Sequence, residues 1–539
     1  MSRLSEEPSH PLPHLTGVRA LITTAVVTSS TGESRVKRAK DSYIIITIMS
    51  TPPILNDVSH TSELSRRRRI GILLICSMSL LIVGLDVTIV NVALPQIGRN
   101  FHAPLSGLQW TVDAYTLVLA SLLMLSGSTA DRLGRRRTFV LGLITFTAGS
   151  LLCSLAPNLT TLIIFRMMQA VGCSMLNPVA MSIITNTFTD PRERAQAIGV
   201  WGAVIGMSMA LGPVVGGLLV STIGWQSVFW INVPIGVGAI VLTLRFIPES
   251  KAHVARKIDI PGQSLIIALL ASLTFAIIEA PRRGWTSSWI VASLSVALVS
   301  LLTLLYWENR VRVPLIDLRF FRSVPFASAT IMAVASFAGL GGFLFLNTLY
   351  LQDVKGLSAL HAGIDTLPMA AMIMICPPLS GRIVGRRGSR IPLAIAGTAM
   401  ATSCLLLVGL DTTTPFARLF VAYVVFGIGF GFVNAPITNA AVAGMPRAQA
   451  GVAAAIASTS RQVGSTLGVA VVGALVSASL VRGEHLNFAA ASRAGWWVLF
   501  GCTTGVLVLG LIATTAWAKD TARRAAEVLN PEFLEGHTP

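Results

Sequence analysis

The stretch GSTADRLGRRR, residues 127–137, joins two apolar segments at 109–130 and 138–156. Each segment is about as long as the roughly 20 residues that an α-helix needs to cross the hydrocarbon core of a bilayer. The connection between them is very short and rich in glycine and arginine. Glycine permits a tight turn, and arginines beside a membrane span favour the cytoplasmic side. The stretch therefore predicts a helical hairpin in a membrane.

Apolar segments of this length recur along most of the chain. The 539 residues are 53% hydrophobic and only 12% charged, which is too apolar for an ordinary soluble globular protein. We therefore predict an all-α integral membrane protein with about 14 transmembrane helices. The predicted spans are 71–95, 109–130, 138–156, 160–186, 195–221, 227–247, 263–280, 288–307, 324–351, 361–384, 391–410, 417–441, 451–480 and 494–518.

The basic residues responsible for the net charge of +17 lie in the connections between apolar segments. They do not form one patch, which argues against nucleic-acid binding. Lysine and arginine are frequent in every second connection and rare in the others. By the positive-inside rule, we expect the basic connections and both chain termini in the cytoplasm of a multi-pass plasma (inner) membrane protein.

The second half of the chain repeats motifs of the first half. The tetrapeptide RAQA occurs at 194–197 and again at 447–450, and the stretch 127–137 is echoed by GRIVGRRGSR at 381–390. Duplicated helical bundles are common in membrane transporters, which hold substrate between the two halves. We predict a disordered cytoplasmic N-terminal extension, a six-helix bundle, two inserted helices with linkers, a second six-helix bundle and a cytoplasmic tail, at 1–68, 69–250, 251–322, 323–518 and 519–539.

Within the N-terminal extension, Met49 begins a sequence that reads like a natural start just before the first predicted helix. The apolar stretches in the extension are too short to span a bilayer. We hypothesise that residues 1–48 are a mis-called extension of the gene.

The sequence contains no pattern typical of a metal, disulfide or nucleotide site. All six cysteines lie inside predicted spans, and the eight histidines lie in predicted loops, tails or helix ends. Neither set has the spacing of a metal centre, and no GxxxxGK[ST] loop occurs. We expect no metal, no cofactor and no enzymatic chemistry.

The stretch 127–137 resembles the loop motif of the major facilitator superfamily, Gly-x3-Asp-Arg-x-Gly-Arg-Arg/Lys. An aspartate in such a turn can accept charge-assisted hydrogen bonds from an arginine or a helix N-terminus. We expect a conformational latch that stabilises one of two rocking states, although the arginines could instead be plain topology anchors. In the repeat copy Gly385 stands in place of the acid, so a second latch is weakened or lost. The candidate latch residues are Gly127, Asp131, Arg132, Gly134, Arg135 and Arg136.

The fifth predicted span contains GVWGAVIGMSMALGPVVGG, residues 199–217. Small residues let helices pack closely in lipid, and a proline inside a helix removes one hydrogen bond and bends the axis. The string resembles the antiporter motif of major facilitator exporters, with serine at the second glycine position; the alternative is generic close packing. The matching residues are Gly199, Ser208, Gly212, Pro213, Gly216 and Gly217.

The first five predicted spans contain three charged residues, Asp86, Asp113 and Arg166. A charge near the centre of a span costs about 2.5–3.5 kcal/mol on insertion scales, so it is a functional candidate by default. The predicted topology places all three in the outer half of the bilayer, where we expect them to meet in one cavity. Structural alternatives are a helix cap for Asp113 and a fixed ion-pair partner for Arg166.

The surrounding strings, LDVTIVNVALP and QWTVDAYTL, resemble the 14-helix drug/proton antiporter family of EmrB/QacA-like exporters over residues 70–518. The resemblance implies that Asp86 and Asp113 bind protons and cations and that Arg166 couples protonation to conformation. Asn91 lies in the first of these strings and Gln169 in FRMMQAVG, the string around Arg166, and both complete the candidate proton- and substrate-binding set.

Glu279, Asp365 and Arg461 are weaker candidates in the later spans. Glu279 is followed by a proline and two arginines, which favours an interfacial position. Asp365 could add a cation-attracting charge, but it lies near the outer surface. For Arg461 a coupling role and a structural ion pair are equally good interpretations.

Together these features predict a secondary active exporter of drugs or other small lipophilic or cationic compounds, driven by the proton gradient through alternating access. The expected partners are small molecules, protons and membrane lipids. Two alternatives stay open, namely a major facilitator importer or exporter of one metabolite, and a non-transporting membrane scaffold or sensor. The identity of the substrate and the need for a periplasmic adaptor also stay open.

Overall fold

The computed structural model describes residues 65–251, 259–311, 314–443, 445, 449–481 and 488–529. The hypothesised start at Met49 and nearly all of the predicted extension 1–68 lie outside these residues.

Fourteen helices in the described part of the chain are long and apolar enough to cross a membrane, and no strand occurs there. The all-α membrane fold and its number of spans are therefore as predicted. The helices are α1 Arg66–Phe101, α2 Leu105–Leu133, α3 Arg135–Ser154, α4 Leu159–Thr187, α5 Pro191–Thr222, α6 Asn232–Phe246, α7 Ile260–Arg283, α8 Ser288–Glu308, α9 Val324–Leu349, α10 Leu367–Arg387, α11 Arg390–Leu407, α12 Phe416–Val442, α13 Ala450–Val481 and α14 Arg493–Ala513.

Short helical segments extend three of these spans. Ser227–Trp230 precedes α6, Ala359–Asp365 precedes α10, and α9 continues into one π-helical turn at Tyr350–Val354. Because successive helices run in opposite directions, the chain defines two membrane faces. We call the face where α1 begins the basic face, since Arg66–Arg69 and Arg135–Arg137 lie there, and the other the opposite face.

The first helix is longer than its predicted span of 71–95. It begins after Ser65, whose hydroxyl accepts a hydrogen bond from the backbone N–H of Arg68 at 3.4 Å, and ends before His102 in left-handed conformation. Pro95 lies inside the helix. Proline removes only one backbone hydrogen bond, and packing against neighbouring helices allows the helix to continue past it. The predicted end at residue 95 is therefore six residues too early, and the helix begins before the end of the predicted extension at residue 68.

The C-terminal end also differs from the predicted span at 494–518, which the predicted cytoplasmic tail at 519–539 follows. The last span ends at Ala513, and a separate helix, α15, covers Ala516–Leu529. Its buried residues recur every three or four positions, which makes one face apolar and the other charged. The backbone N–H of Val324 donates to the Thr521 hydroxyl at 3.0 Å, which attaches α15 to the start of α9. The buried residues are Ala518, Ala522, Ala525 and Leu529.

The helices of the first six spans pack mainly on one another, as do those of the last six, and three helix pairs join these halves. The pairs are α2 with α13, α1 with α9, and α5 with α10 and its preceding short helix. The pair α7–α8 lies beside the seam, with α7 against α2 and α13 and with α8 against α7. Most apolar side chains of α8 are exposed, as expected for a helix that faces lipid.

Candidate functional site

A buried ion pair lies between α1 and α4. Arg166 Nη1 donates to Asp86 Oδ2 at 2.6 Å, and the two residues are 1% and 0% exposed. Two opposite charges taken out of water are stable only when geometry and further hydrogen bonds compensate for the lost hydration. The surrounding residues supply those bonds.

The second carboxylate oxygen of Asp86 accepts hydrogen bonds from two side-chain amides. Gln169 Nε2 donates to Asp86 Oδ1 at 2.8 Å, and Asn232 Nδ2 donates to the same oxygen at 3.2 Å. Both amides also donate to the Ser150 hydroxyl, at 3.1 and 3.0 Å, and that hydroxyl donates to the Phe229 carbonyl at 2.9 Å. Asp86 is therefore surrounded by donors, as an ionised carboxylate requires.

The Arg166 guanidinium is held on its other sides by α2 and α4. Its Nε donates to the Thr111 carbonyl at 3.3 Å, and Nη1 also donates to Gln169 Oε1 at 2.6 Å. The guanidinium carbon lies 4.1 Å from the centre of the Tyr115 ring, in cation–π geometry. The network thus ties together five of the first six spans, and a change in its charge acts on all of them.

Asp113 does not belong to this network. It is fully buried, yet neither of its carboxylate oxygens has a hydrogen-bond partner among the described residues. Thr111 and Tyr115 face Arg166, whereas Gln109 and Thr116, on the other side of α2, contact α13. With 3.6 residues per turn, Asp113 lies on the α13 side. The expectation that Asp86, Asp113 and Arg166 meet in one cavity is therefore wrong for Asp113.

A small cavity lies in the middle of the seam between the halves. Its volume is about 30 Å³, room for about two water molecules. Asn91 and Arg166 line it from the first half, and Leu340 and Ser465 line it from the second. The Asn91 Nδ2 group donates to the Val87 carbonyl at 2.8 Å, and its Oδ1 atom has no partner within the described chain. Asn91 thus places an acceptor beside the buried ion pair.

The seam is closed at the opposite face by two side-chain amides. Gln109 Nε2 on α2 donates to the Ala470 carbonyl of α13 at 2.9 Å. Gln352 Nε2, at the end of α9, donates to the Val92 carbonyl of α1 at 2.9 Å. Each bond joins one half to the other, just beyond the central cavity on the side of the opposite face.

The glycine string of α5 contacts both halves. A Cβ atom on Gly216 would lie 2.6 Å from a side-chain carbon of Ile89 in α1. On Gly217 it would lie 2.5 Å from the Ala359 carbonyl oxygen in the short helix of the other half. Gly212 packs on Thr88, Ser208 is buried beside Gly84, and the Pro213 carbonyl packs on Gly363. A Cβ atom on Gly199 would have no such neighbour among the residues that the structure describes.

The stretch 127–137 forms its hairpin by a tight turn at Gly134, whose φ of +105° favours glycine. Asp131 Oδ1 lies 3.7 Å from Arg135 Nη2, a pair four residues apart within the first half. The Arg136 backbone N–H donates to Glu249 Oε1 at 3.1 Å, just after α6. Gly127 has no heavy atom near an added Cβ, and Arg132 lies in the exposed part of the turn. The hairpin is thus tied to α6, a contact that the sequence did not predict.

The sequence model of the major facilitator superfamily matches residues 76–469. The chain belongs to the major facilitator superfamily. It is 36% identical over 414 residues to the multidrug resistance protein Stp of Mycobacterium tuberculosis (strain CDC 1551 / Oshkosh), covering 77% of each chain. It is 34% identical over 423 residues to the tetracenomycin C resistance and export protein of Streptomyces glaucescens, covering 78% of each chain.

Solved structures of this superfamily share the fold at low sequence identity. A POT family transporter in complex with 5-aminolevulinic acid matches with a TM-score of 0.61 at 16% identity, over 84% of this chain and 97% of that one. A D-xylose–proton symporter matches with a TM-score of 0.59 at 14% identity, over 82% of this chain and 97% of that one. The predicted major facilitator fold is therefore confirmed.

Among the weaker candidates in this major facilitator chain, Glu279 has the most contacts. Its Oε1 accepts from Trp110 Nε1 at 3.1 Å, and its Oε2 accepts from Arg283 Nε at 3.1 Å. It is only 7% exposed, although it lies four residues before the end of α7. Glu279 thus fastens α7 to α2. Asp365 ends the short helix before α10, near the opposite face.

We expect Glu279→Ala to destabilise the protein moderately, because the part-buried Trp110 indole N–H would lose its acceptor. Leaving such a donor unpaired costs about 1–3 kcal/mol. Glu279→Gln keeps an acceptor for the indole and loses only the half-exposed ion pair with Arg283, worth about 0–1 kcal/mol. Thermal unfolding of the purified protein in detergent checks whether Glu279→Ala is less stable than Glu279→Gln. Equal stability of both variants would contradict the role given to Trp110.

Four polar neighbours of the ion pair were not among the predicted site residues: Thr111, Tyr115, Ser150 and Asn232. Three of them, Thr111, Tyr115 and Asn232, lie in strings typical of the antiporter family, QWTVDAYTL and WQSVFWINVPIG. The polar character of these residues, inside segments typical of the family, could therefore have identified them as site residues from the sequence. Ser150 had no such signal, since serines are common in membrane spans.

Proposed function

We propose that the protein is a proton-coupled antiporter that exports drugs or other small lipophilic or cationic compounds. It belongs to a transporter superfamily, and two of its relatives bear names that denote drug resistance or export. We place the basic face in the cytoplasm, because arginine-rich connections are retained there. The proton gradient supplies the energy, since one charge that crosses 100 mV releases about 2.3 kcal/mol.

The observation that carries this proposal is the difference between the two buried carboxyl groups. Asp86 has an arginine and two amides as partners, whereas Asp113 has none within the described chain. A carboxylate buried without donors pays a large desolvation penalty, and a neutral carboxyl group avoids most of it. Asp113 is therefore the group suited to bind and release a proton, and Asp86 and Arg166 form a fixed charge pair on the other side of α2.

The position of Asp113 links its proton to the movement of the halves. It lies on the face of α2 that packs on α13, between the contacts of Gln109 and Thr116. Closing this seam buries the carboxyl group, which favours closure when a proton is bound. Opening the seam to the opposite face lets water reach Asp113, where a proton can bind. On the cytoplasmic side, a substrate that binds near Asp113 can displace the proton, which gives antiport.

We expect Asp113→Asn to abolish proton-driven export while leaving the fold intact. Asparagine has the size of aspartate and no charge, and the aspartate has no hydrogen bond to lose among the described residues. Everted membrane vesicles, energised by respiration, measure the uptake of ethidium. The variant should retain less than about a tenth of wild-type uptake, which corresponds to a loss of about 1.4 kcal/mol of coupling or more.

Asp520→Asn is the matched control, because Asp520 is an exposed aspartate on α15 and its neutralisation should leave uptake unchanged. Membrane levels of both variants should equal the wild type. Full ethidium uptake by Asp113→Asn would overturn the proton role. Failure of the wild type to accumulate ethidium in everted vesicles, with uptake into right-side-out vesicles instead, would identify an importer.

A further inference from the structure

Arg461 is a second arginine inside the membrane, and its surroundings differ from those of Arg166. It lies on α13, about 16 Å along the axis from Ala450 at 1.5 Å per residue, which is near the middle of the span. Its Nη2 donates to the Thr438 hydroxyl at 2.6 Å. Its Nε atom is buried and has no hydrogen-bond partner within the described residues, and none of their carboxylates forms an ion pair with it.

A cation with no counter-charge in a membrane span is expensive to bury and is kept for a function. Arg166 shows the alternative in the same protein, since Asp86 neutralises it. The predicted alternative of a structural ion pair for Arg461 is therefore not supported by the residues around it. The guanidinium retains Nε and Nη1 as donors while the Thr438 hydroxyl fixes its orientation.

The periodicity of α13 shows which space Arg461 faces. Ser465 and Val469, four and eight residues further along, line the central cavity. Residues four apart lie on one face of a helix, so Arg461 continues this face by one turn toward the basic face. The amide contacts that close the seam lie at the opposite face. Arg461 thus lies at the end of the central cavity that is nearer to the cytoplasm.

We propose that Arg461 is a binding subsite for an anionic oxygen group, a carboxylate or phenolate, of the exported compound. A guanidinium donates charge-assisted hydrogen bonds to such a group from its free N–H groups, and desolvation inside the membrane strengthens these bonds. This inference rests on the proposed export function and adds to it, because substrates then include lipophilic anions and zwitterions as well as cations.

Binding to the purified full-length protein in detergent, without any gradient, tests the proposal. The probes are two xanthene dyes, fluorescein with its carboxylate and phenolate, and rhodamine 6G, an esterified cation. The variants are Arg461→Gln, which removes the charge, and Arg461→Lys, which keeps it without the planar fork. The control is Arg382→Gln, at an exposed arginine of α10 near the basic face. Fluorescence anisotropy gives each Kd.

We expect Arg461→Gln to raise the Kd of fluorescein about tenfold or more, as for loss of a buried charge-assisted bond. Arg461→Lys should fall between this variant and the wild type. The Kd of rhodamine 6G should stay within about twofold in every variant, which also shows that each one is folded. Equal losses for both dyes, or no binding of fluorescein to the wild type, would overturn the proposal.

A phospholipid headgroup carries the same kind of anionic oxygens as the proposed substrate. A second measurement therefore distinguishes a bound lipid from a bound substrate. Phosphatidylglycerol that co-purifies with each variant is quantified by mass spectrometry. If Arg461→Gln loses this lipid and keeps its fluorescein affinity, the ligand is a lipid and the substrate subsite is rejected. Because binding needs no gradient, a failure of proton-driven ethidium uptake would reject the export function without changing this result.

Discussion

Arg166→Gln is expected to abolish export and to destabilise the folded protein by about 3–5 kcal/mol, the usual effect of removing one partner from a buried ion pair. Asp86 would remain buried with its amide donors but without a counter-charge. Since folded proteins are stable by only about 5–15 kcal/mol, such a loss should lower both the unfolding temperature and the amount in the membrane. Thermal unfolding in detergent and immunoblotting of membranes measure these two quantities.

The double variant Asp86→Asn/Arg166→Gln separates the structural role of the pair from its role in transport. It leaves no buried charge, and an asparagine at position 86 can still accept from Gln169 and Asn232. We expect the double variant to regain most of the lost stability and to remain inactive in ethidium uptake. Full recovery of uptake would show that the pair serves only the fold. Wild-type stability of Arg166→Gln would contradict an ionised Asp86.

The sequence contained enough information to predict the fold almost completely. Hydrophobic length identifies spans because the bilayer requires each one to satisfy its own backbone hydrogen bonds. Most predicted ends therefore lie within a few residues of the structure. The two larger errors, at Pro95 and at residues 514–518, have a common cause. Composition does not show that neighbouring helices allow α1 to continue past Pro95. It also does not show that the apolar face of α15 packs on the protein and does not face lipid.

The candidate site was only partly predictable, for a similar reason. Charged residues in spans are conspicuous, so Asp86, Asp113 and Arg166 could be named from the sequence alone. Which of them meet depends on how each helix is rotated in the bundle, and the sequence of one helix does not fix that rotation. Asp113 consequently lies at the seam with α13, and the partners of Asp86 include Asn232, a neutral residue from a distant helix.

The α5 glycines illustrate a contact whose type was predictable and whose partner was not. Small residues predicted close packing, and Gly212 and Gly216 do pack on α1. Gly217 instead packs on Ala359–Asp365 of the other half, at the opposite face. No periodicity in α5 distinguishes these two neighbours. This difference makes Gly217 part of the closing surface between the halves.

Gly217→Val is therefore expected to stop export by preventing closure of the opposite face. An added Cβ atom would lie 2.5 Å from the Ala359 carbonyl oxygen and 2.7 Å from Leu360 Cα. Both are backbone atoms of a helix, which cannot move aside as a flexible side chain can, and overpacking of this kind costs about 1–3 kcal/mol or more. The halves should then rest apart at this face, and ethidium uptake should fall to below about a tenth of wild type.

The matched control is Gly199→Val, a glycine of the same helix with no heavy atom within 4 Å of an added Cβ. It should export normally, since the Cβ atom added there is not in contact with any of the described residues. The position of the halves can be followed with Ser465→Cys, because Ser465 lines the central cavity. A membrane-impermeant thiol reagent added from the opposite face should label this cysteine faster in Gly217→Val than in Gly199→Val. Equal labelling and equal export in the two variants would show that the contact with Ala359 does not control closure.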